Sequence, residues 1–268
     1  MSKPNIDTYT GYKGLPPIVD LMPVQTALET GLTVAEAVER MKYAHYALNR
    51  LHKIFTSRIT AEPVYELKMA YSMHAHLCIE HVEPFATRVR EMREPPYGLD
   101  DAPHAGLELF FDEIQNAPTT EALVYGLYEK AVPTLVAALS QQIDETNRLF
   151  EHPTFRVLRH AHIEMKEIAD YGAKAVKCIV EDETSLADWA TTLDAALTAA
   201  GGIDGSGEKS ATLPAKLYSA TAYVYDPVPQ RDERFKDLYN MGVNAEAFLH
   251  DPEQPPLPKT LMMYYKRM

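Results

Sequence analysis

The chain of 268 residues has few of the features that mark secreted or membrane proteins. Cysteine occurs only twice, at Cys78 and Cys178, which excludes a disulfide scaffold and fits a reducing compartment. No run of about 18 apolar residues is present, so we expect no membrane span. The N-terminal residues also lack the apolar core of a signal peptide. The sequence therefore predicts a cytoplasmic protein.

Basic residues and catalytic motifs are scarce as well. The 26 Lys and Arg residues are outnumbered by 38 Asp and Glu residues, which gives a net charge of −12. Such a chain repels phosphate backbones, which argues against nucleic-acid binding through a broad basic face. The motifs G-x-x-x-x-G-K, G-x-G-x-x-G, G-x-S-x-G and C-x-x-C are absent. If the chain is an enzyme, we expect a small-molecule substrate, which the sequence does not identify.

Glycine is sparse in the middle of the chain, where only four glycines lie between Gly31 and Gly201. Apolar residues recur there at helical spacing, and prolines and capping residues bound the segments. The pattern predicts four long helices and a shorter fifth one, at 33–58, 64–93, 119–150, 154–181 and 185–200. We expect an all-α fold in which the long helices form an antiparallel four-helix bundle, with residues 94–118 as a long connection.

The composition changes after residue 200. Residues 201–210, GGIDGSGEKS, have the composition of a linker, and an arm rich in proline and aromatic residues follows. We predict an N-terminal extension (1–32), the helical bundle (33–200), and a linker with an extended arm (201–268). Aromatic side chains would anchor the arm on a neighbouring subunit, which gives a homo-oligomer, or back on its own bundle at the mouth of the site.

Histidines are concentrated on the first, second and fourth predicted long helices. Five of them fall on the apolar stripes of these helices: His45, His52, His74, His81 and His162. A single buried histidine is usually structural, but several that converge in a bundle core are typical of a transition-metal site. The second and fourth helices also share the spacing His-x-x-x-Glu-x-x-Glu, at 76–83 and 160–167. An exposed polar face is the other interpretation of that pattern.

Two runs carry a resemblance to a known family. The run from Met73 to Pro96, MHAHLCIEHVEPFATRVREMREPP, resembles the second helix of the ferritin-like superfamily, in the branch related to tRNA-modifying non-haem di-iron hydroxylases. The run from Pro153 to Arg159, PTFRVLR, is similar to the fourth helix of that branch. The resemblance covers about residues 33–180. It implies a bundle that holds two irons through one Glu from each of two helices and Glu-x-x-His from each of the other two.

The sequence departs from that ligand pattern. Cys78 stands three residues before His81, where the family has Glu, and Glu167 stands three residues after Glu164, where the family has His. The resemblance therefore implies His81 and Glu164 as ligands, and Glu167 as a substitute. Three outcomes are open for the two-iron site: a ligand set richer in histidine, a site for one metal ion, or loss of the site. The candidate metal ligands are His45, His74, His81, Glu164 and Glu167.

Three functions stay open on this basis. The first is a non-haem oxidoreductase or oxygenase that holds one or two iron ions, or another transition metal. The second is a ferritin-like bundle without a catalytic metal, which serves as a structural or protein-interaction module. The third is a mononuclear metal hydrolase or transferase whose ion is held by three histidines.

Overall fold

The computed structural model describes residues 9–92 and 98–235. These residues form α-helices, short 3-10 turns and one π-helical turn, and none of them lies in a strand. The all-α prediction is confirmed. The helices are α1 (Val24–Ala27), α2 (Val34–Arg58), α3 (Tyr65–Glu91), α4 (Ala105–Gln115), α5 (Thr120–Tyr125), α6 (Val132–Glu145), α7 (His152–Ile179) and α8 (Ala187–Ala199).

Local signals in the sequence explain where the long helices begin. The Thr33 side chain accepts a hydrogen bond from the Glu36 backbone N–H, and the Glu36 carboxylate accepts one from Thr33, so a capping box starts α2. Thr119 caps α5 in the same way, by accepting from the Ala122 backbone. Pro153 lies in the first turn of α7, where a missing N–H group has no cost.

The long helices pack in a closed ring around one core. Helix α2 contacts α3, α3 contacts α7, α7 contacts α6, and α6 contacts α2. Helices α3 and α7 run antiparallel. His81 contacts Glu164 near the middle of both helices, and Arg88, later in α3, contacts Thr154, earlier in α7. The interior is apolar and aromatic, with fully buried side chains such as Leu48, Phe55, Tyr71, Phe85, Leu135, Leu158 and Met165.

The segment 94–118, predicted as a connection, contains a helix, so that prediction was wrong. Helix α4 begins after His104, whose ring accepts a hydrogen bond from the Gly106 backbone N–H. It buries Leu107, Phe110, Phe111 and Ile114 and packs against α8. With only 11 residues and an unusual capping residue, this helix gives a weak local signal.

Helices α5 and α6 are joined without a break by a π-helical turn at Gly126–Ala131. Pro133 follows this turn directly and lies in the first turn of α6. The resulting helix, Thr120–Glu145, is the one described helix long and apolar enough to cross a membrane by length and composition. Sixty-one per cent of its most apolar window is buried inside the protein, and the core helix of a soluble protein passes the same test.

The segment 201–210, predicted as a linker, forms a compact turn. Gly207 N donates to the Gly201 carbonyl at 2.8 Å, and Ile203 is buried. Gly205 adopts a φ of +68°, and a Cβ atom there would lie 2.5 Å from the Tyr43 ring. Glycine at this position therefore meets a conformational and a packing requirement at once.

The described part of the arm folds back on its own helices, and its position at the mouth of the site stays a prediction. Tyr223 Oη donates to the Ser57 carbonyl at 3.1 Å, and the Thr60 hydroxyl donates to the Asp226 carbonyl at 2.7 Å. Gln230 N donates to the Thr60 carbonyl at 2.8 Å. Four of the aromatic side chains predicted as anchors lie outside the described residues: Tyr239, Phe248, Tyr264 and Tyr265.

A buried carboxylate fastens this arm to the rest of the chain. Glu113 of α4 accepts hydrogen bonds from the backbone N–H groups of Leu217, Tyr218 and Ser219, at 2.8 to 3.1 Å. It also accepts from the Ser219 hydroxyl at 2.6 Å and from the Trp189 indole at 3.1 Å. The Tyr218 ring contacts the Trp189 ring, with centroids 5.1 Å apart. A single side chain thus joins α4, α8 and the arm.

Candidate metal site

Helices α3 and α7 bring two of the predicted ligands together. His81 Nε2 lies 2.7 Å from Glu164 Oε2, so the ring donates a hydrogen bond to the carboxylate. His81 is buried and Glu164 is partly exposed. Histidine and carboxylate side chains are both ligands of first-row transition metals. This pair lies near the protein surface rather than in the apolar core.

The pair borders a groove between α3 and α7 with a volume of about 420 Å³. Its lining contains three imidazoles, two carboxylates and one guanidinium, from His76, His81, His160, Glu80, Glu164 and Arg156. His76 Nδ1 lies 3.9 Å from Glu80 Oε1. Because His76, Glu80 and His160 are exposed, their side chains are free of the packing that holds His81.

The shared His-x-x-x-Glu spacing explains why His76 and Glu80 of α3, and His160 and Glu164 of α7, line one groove. In each helix the Glu lies one turn after the His, on the same face. Helices α3 and α7 run antiparallel and Glu164 contacts His81, and Glu80, His76 and His160 line the same groove. The sequence contains this pattern, but a helical wheel places it away from the apolar centre and therefore outside a core site.

The last glutamates of the two motifs do not line the groove. Glu83 accepts hydrogen bonds from Thr87 and Arg90 on the surface of α3. Glu167, a predicted ligand, is exposed on α7 and is not part of the groove lining. The structure therefore does not bring Glu167 to Glu164 and His81 as a shared ligand set.

His74 lies in a separate aromatic cluster. Its Nδ1 is 2.8 Å from Tyr128 Oη, and its ring contacts Phe55, Tyr128 and Tyr171 at centroid distances of 5.2 to 5.7 Å. Burial lowers the pKa of His74 to about 4, so the ring is neutral near pH 7. Tyr128 belongs to the π-helical turn, and no sequence signal singled it out as a partner of His74.

His45 is buried on α2, where it faces the loop that contains Leu99 and Asp100. Burial lowers the pKa of His45, and the Asp100 carboxylate and the Leu99 backbone oppose that shift. Its Nδ1 has no hydrogen-bond partner within residues 9–92 and 98–235. His45, His74 and His81 therefore have different neighbours, although all three lie on apolar stripes.

The core does not fit the two-iron centre that the resemblance implies. In the part of the chain that the structure describes, no three His, Cys, Asp or Glu side chains are placed to hold one ion. The buried acidic residues described there are Glu62, Glu113 and Asp204, and Glu62 and Glu113 accept hydrogen bonds within the fold. Burial raises the pKa of the Cys78 thiol well above its ordinary value, so this cysteine stays protonated and is a poor ligand.

No protein-family model, no curated protein and no solved structure matches the chain. The ferritin-like resemblance therefore stays a prediction. The function has to be argued from the geometry of the groove and of the buried polar groups.

Proposed function

We propose that this chain is a ferritin-like four-helix bundle that binds one divalent transition-metal ion in the groove between α3 and α7. The observation that carries the proposal is the contact between His81 and Glu164, 2.7 Å apart, in a groove that offers two further imidazoles and a second carboxylate. Two predicted ligands, His81 and Glu164, belong to this set. The closed ring of long helices supports the bundle.

The donor types favour a borderline metal such as iron or zinc over calcium or magnesium, because three of the five donors are imidazoles. His81 and Glu164 are in contact, but no three such side chains meet within the described residues. An ion would therefore need one or two of His76, Glu80 and His160, which line the same groove, to move toward this pair. Arg156 adds a positive charge to the lining and offsets part of the negative charge of Glu80 and Glu164.

The groove is open to solvent, which gives a small-molecule substrate access to a bound ion. An iron ion would supply redox chemistry there, and a zinc ion would supply Lewis-acid chemistry. The protein's own part is to hold the ion through His81, whose ring is fixed by packing on α3, and through Glu164 of α7. With iron, this role corresponds to the oxidoreductase function predicted from the sequence, which left one or two ions open.

Metal titration of the full chain tests the proposal. We expect about one Zn²⁺ or Fe²⁺ ion per chain by calorimetry and elemental analysis, as a single four-coordinate site predicts. The variants His81→Gln and Glu164→Gln should each lose this binding while circular dichroism shows unchanged helicity. Glu167→Gln is the matched control, because it changes the same residue type on the same helix outside the groove.

Two results would contradict the metal proposal. One is a chain that retains well under one ion after loading with either metal. The other is binding that persists in both groove variants, which would place the ion elsewhere.

A second candidate function is a structural or protein-interaction module without a catalytic metal. It is favoured by the hydrogen bonds that occupy His74 and Glu113 within the fold. In that case metal titration finds no ion, and the arm is the element that joins copies of the chain into a homo-oligomer. Light scattering of the full chain at several concentrations tests this assembly.

A further inference from the structure

The groove between α3 and α7 contains a cation that the metal site does not need as a ligand. Arg156 is exposed on α7 and lines the groove, and it forms no hydrogen bond or ion pair with any of the described residues. It is therefore paired with neither of the two carboxylates in the lining, Glu80 and Glu164. A guanidinium presents its N–H groups in a planar fork that matches the two oxygens of a carboxylate. Arg156 can thus take the anionic group of a ligand.

Arg156 lies at a distance from the pair that would hold the ion. Arg156 and Glu164 are eight residues apart on α7, which is about 12 Å along the helix axis. His160 lies midway between them, one turn from each. Because α3 and α7 run antiparallel, the residues that follow His81 on α3 lie toward Arg156. The groove therefore offers an anion and a metal ion two separate places along its length.

Apolar side chains line the groove between these two places. Pro84 comes three residues after His81, and Val157 comes one residue after Arg156, so both lie between the pair and the guanidinium. Leu77 adds to the apolar lining on the other side of His81. The groove volume of about 420 Å³ is that of a small-molecule site, in which apolar walls hold the ligand and a few polar groups orient it.

The charge of the groove favours a ligand with a single negative charge. When the imidazoles are neutral, as metal ligation requires, the lining carries one net negative charge from Glu80, Glu164 and Arg156. A divalent ion would reverse this to one net positive charge. One carboxylate then neutralises the groove, whereas a phosphate ester with nearly two negative charges exceeds it.

We propose that the groove binds a small monocarboxylate with an apolar stem, as the substrate class of the metal site. Its carboxylate pairs with Arg156, its stem lies along Pro84 and Val157, and its other end faces His81 and Glu164. This inference rests on the proposed function, because the ion supplies the positive charge that makes the groove attractive to an anion.

Calorimetry on the full chain loaded with Zn²⁺ tests the recognition, with hexanoate as the probe. We expect hexanoate to bind more tightly than 1-hexanol, which has a similar stem and no charge. Arg156→Gln should weaken hexanoate binding about tenfold and leave the zinc content unchanged, because it removes charge-assisted hydrogen bonds to the ligand. Arg159→Gln is the matched control, since Arg159 is an exposed arginine of the same helix outside the groove. It should leave the affinity for hexanoate unchanged.

The orientation of the ligand is measured with Co²⁺ in place of Zn²⁺. The paramagnetic ion broadens the proton resonances of hexanoate more strongly the closer they lie to it. We expect the methyl protons to broaden more than the CH₂ protons next to the carboxylate. The opposite order would overturn the proposal, because it would mean that the carboxylate binds the ion instead of Arg156.

Two further results would overturn the proposal. One is hexanoate binding that Arg156→Gln leaves unchanged. The other is tighter binding of hexyl phosphate than of hexanoate, which would contradict the selection for a single charge.

A metal-free measurement separates this inference from the metal site. If the chain binds no ion, the proposed function fails, and recognition is tested with a chelator in the Glu80→Gln variant, whose groove lining is neutral. We expect this variant to bind hexanoate more tightly than the metal-free parent, and Arg156→Gln in the same background to weaken the binding about tenfold. Absence of hexanoate binding in the Glu80→Gln variant would overturn the role of Arg156 whatever the metal titration shows.

Discussion

His74 shows how a buried histidine can be used within the fold itself. Its ring contacts the rings of Phe55, Tyr128 and Tyr171. Burial lowers the pKa of His74 to about 4. In an unfolded chain the pKa of histidine is about 6.5. Below that value the unfolded chain binds a proton that the folded chain does not, so acid favours unfolding.

We therefore expect the contribution of His74 to the free energy of unfolding to be fully present above about pH 6.5 and to fall as the pH drops toward 4. A pKa difference of about 2.5 units corresponds to a loss of about 3 kcal/mol. Urea unfolding at several pH values, with a chelator present, measures this slope. His74→Gln should make the slope shallower, whereas His76→Gln, at an exposed position, should leave it unchanged. An identical slope in His74→Gln and the unmodified chain would contradict the assignment.

At the scale of the elements, α7 and the π-helical turn come close together at Gly172. A Cβ atom at Gly172 would lie 2.5 Å from the Tyr128 ring. Tyr128 is held from the other side by His74 and Phe55, so it has little room to move. The absence of a side chain at Gly172 is what lets the two elements meet.

Replacement of Gly172 by alanine should destabilise the protein, although alanine is the better helix former. Helix propensity alone would add about 1 kcal/mol of stability, but overpacking against Tyr128 costs about 1–3 kcal/mol. Thermal and urea unfolding measure the net change. Ala173→Gly, at the adjacent exposed position, reports the propensity term by itself. A Gly172→Ala variant that is more stable than the parent would show that the ring can move aside.

Sequence patterns predicted the long helices because their signals are local. The capping box at Thr33, Pro153 in the first turn of α7, and the 3.6-residue periodicity all act within a few residues. Helix α4 was missed, since 11 residues with His104 as the cap resemble a connection. The π-helical turn was also missed, although Pro133, which lacks a backbone N–H, follows it directly.

The candidate site was predicted in part for a related reason. His81 and Glu164 were chosen from the sequence, and they meet. Helical wheels describe one helix at a time, so they place His45, His74 and His81 on apolar stripes without showing that each has different neighbours. A groove between two helices uses side chains at the edges of the stripes, and its location follows only from how the helices pack.

At the scale of the whole molecule, the last quarter of the chain, from residue 201, is held by contacts that composition does not reveal. Residues 201–210 have linker composition, but buried Ile203 and the contact of Gly205 with Tyr43 make them a compact turn. Two of the aromatic residues predicted as anchors, Tyr218 and Tyr223, contact the rest of the protein. The buried Glu113 was not predicted, because α4 itself was not predicted. The predicted homo-oligomer through the arm stays a prediction, which light scattering of the full chain tests.

Glu113 should therefore control how firmly the arm is attached. Burial raises the pKa of this carboxyl. Hydrogen bonds from the Ser219 hydroxyl and from the backbone of residues 217–219 lower the pKa by more than burial raises it, so the pKa lies below its ordinary value. The group is ionised in the folded protein, and its stabilising contribution is lost as the pH falls through that lowered pKa.

Glu113→Gln keeps the shape of the side chain but removes the charge and turns one acceptor into a donor that faces other donors. We expect a loss of about 2–4 kcal/mol in the opening free energy of the arm, because charge-assisted hydrogen bonds are replaced by unsatisfied ones. Hydrogen exchange should then speed up by at least about tenfold at residues 217–219, since each 1.4 kcal/mol is a factor of ten. Glu108→Gln, an exposed change on the same helix, is the control.

If the arm opens as a unit, hydrogen exchange at the amide of Gln230 should speed up together with that at residues 217–219, while the amides of α2 keep their protection. Unchanged exchange at residues 217–219 would mean that the aromatic contacts hold the arm without Glu113.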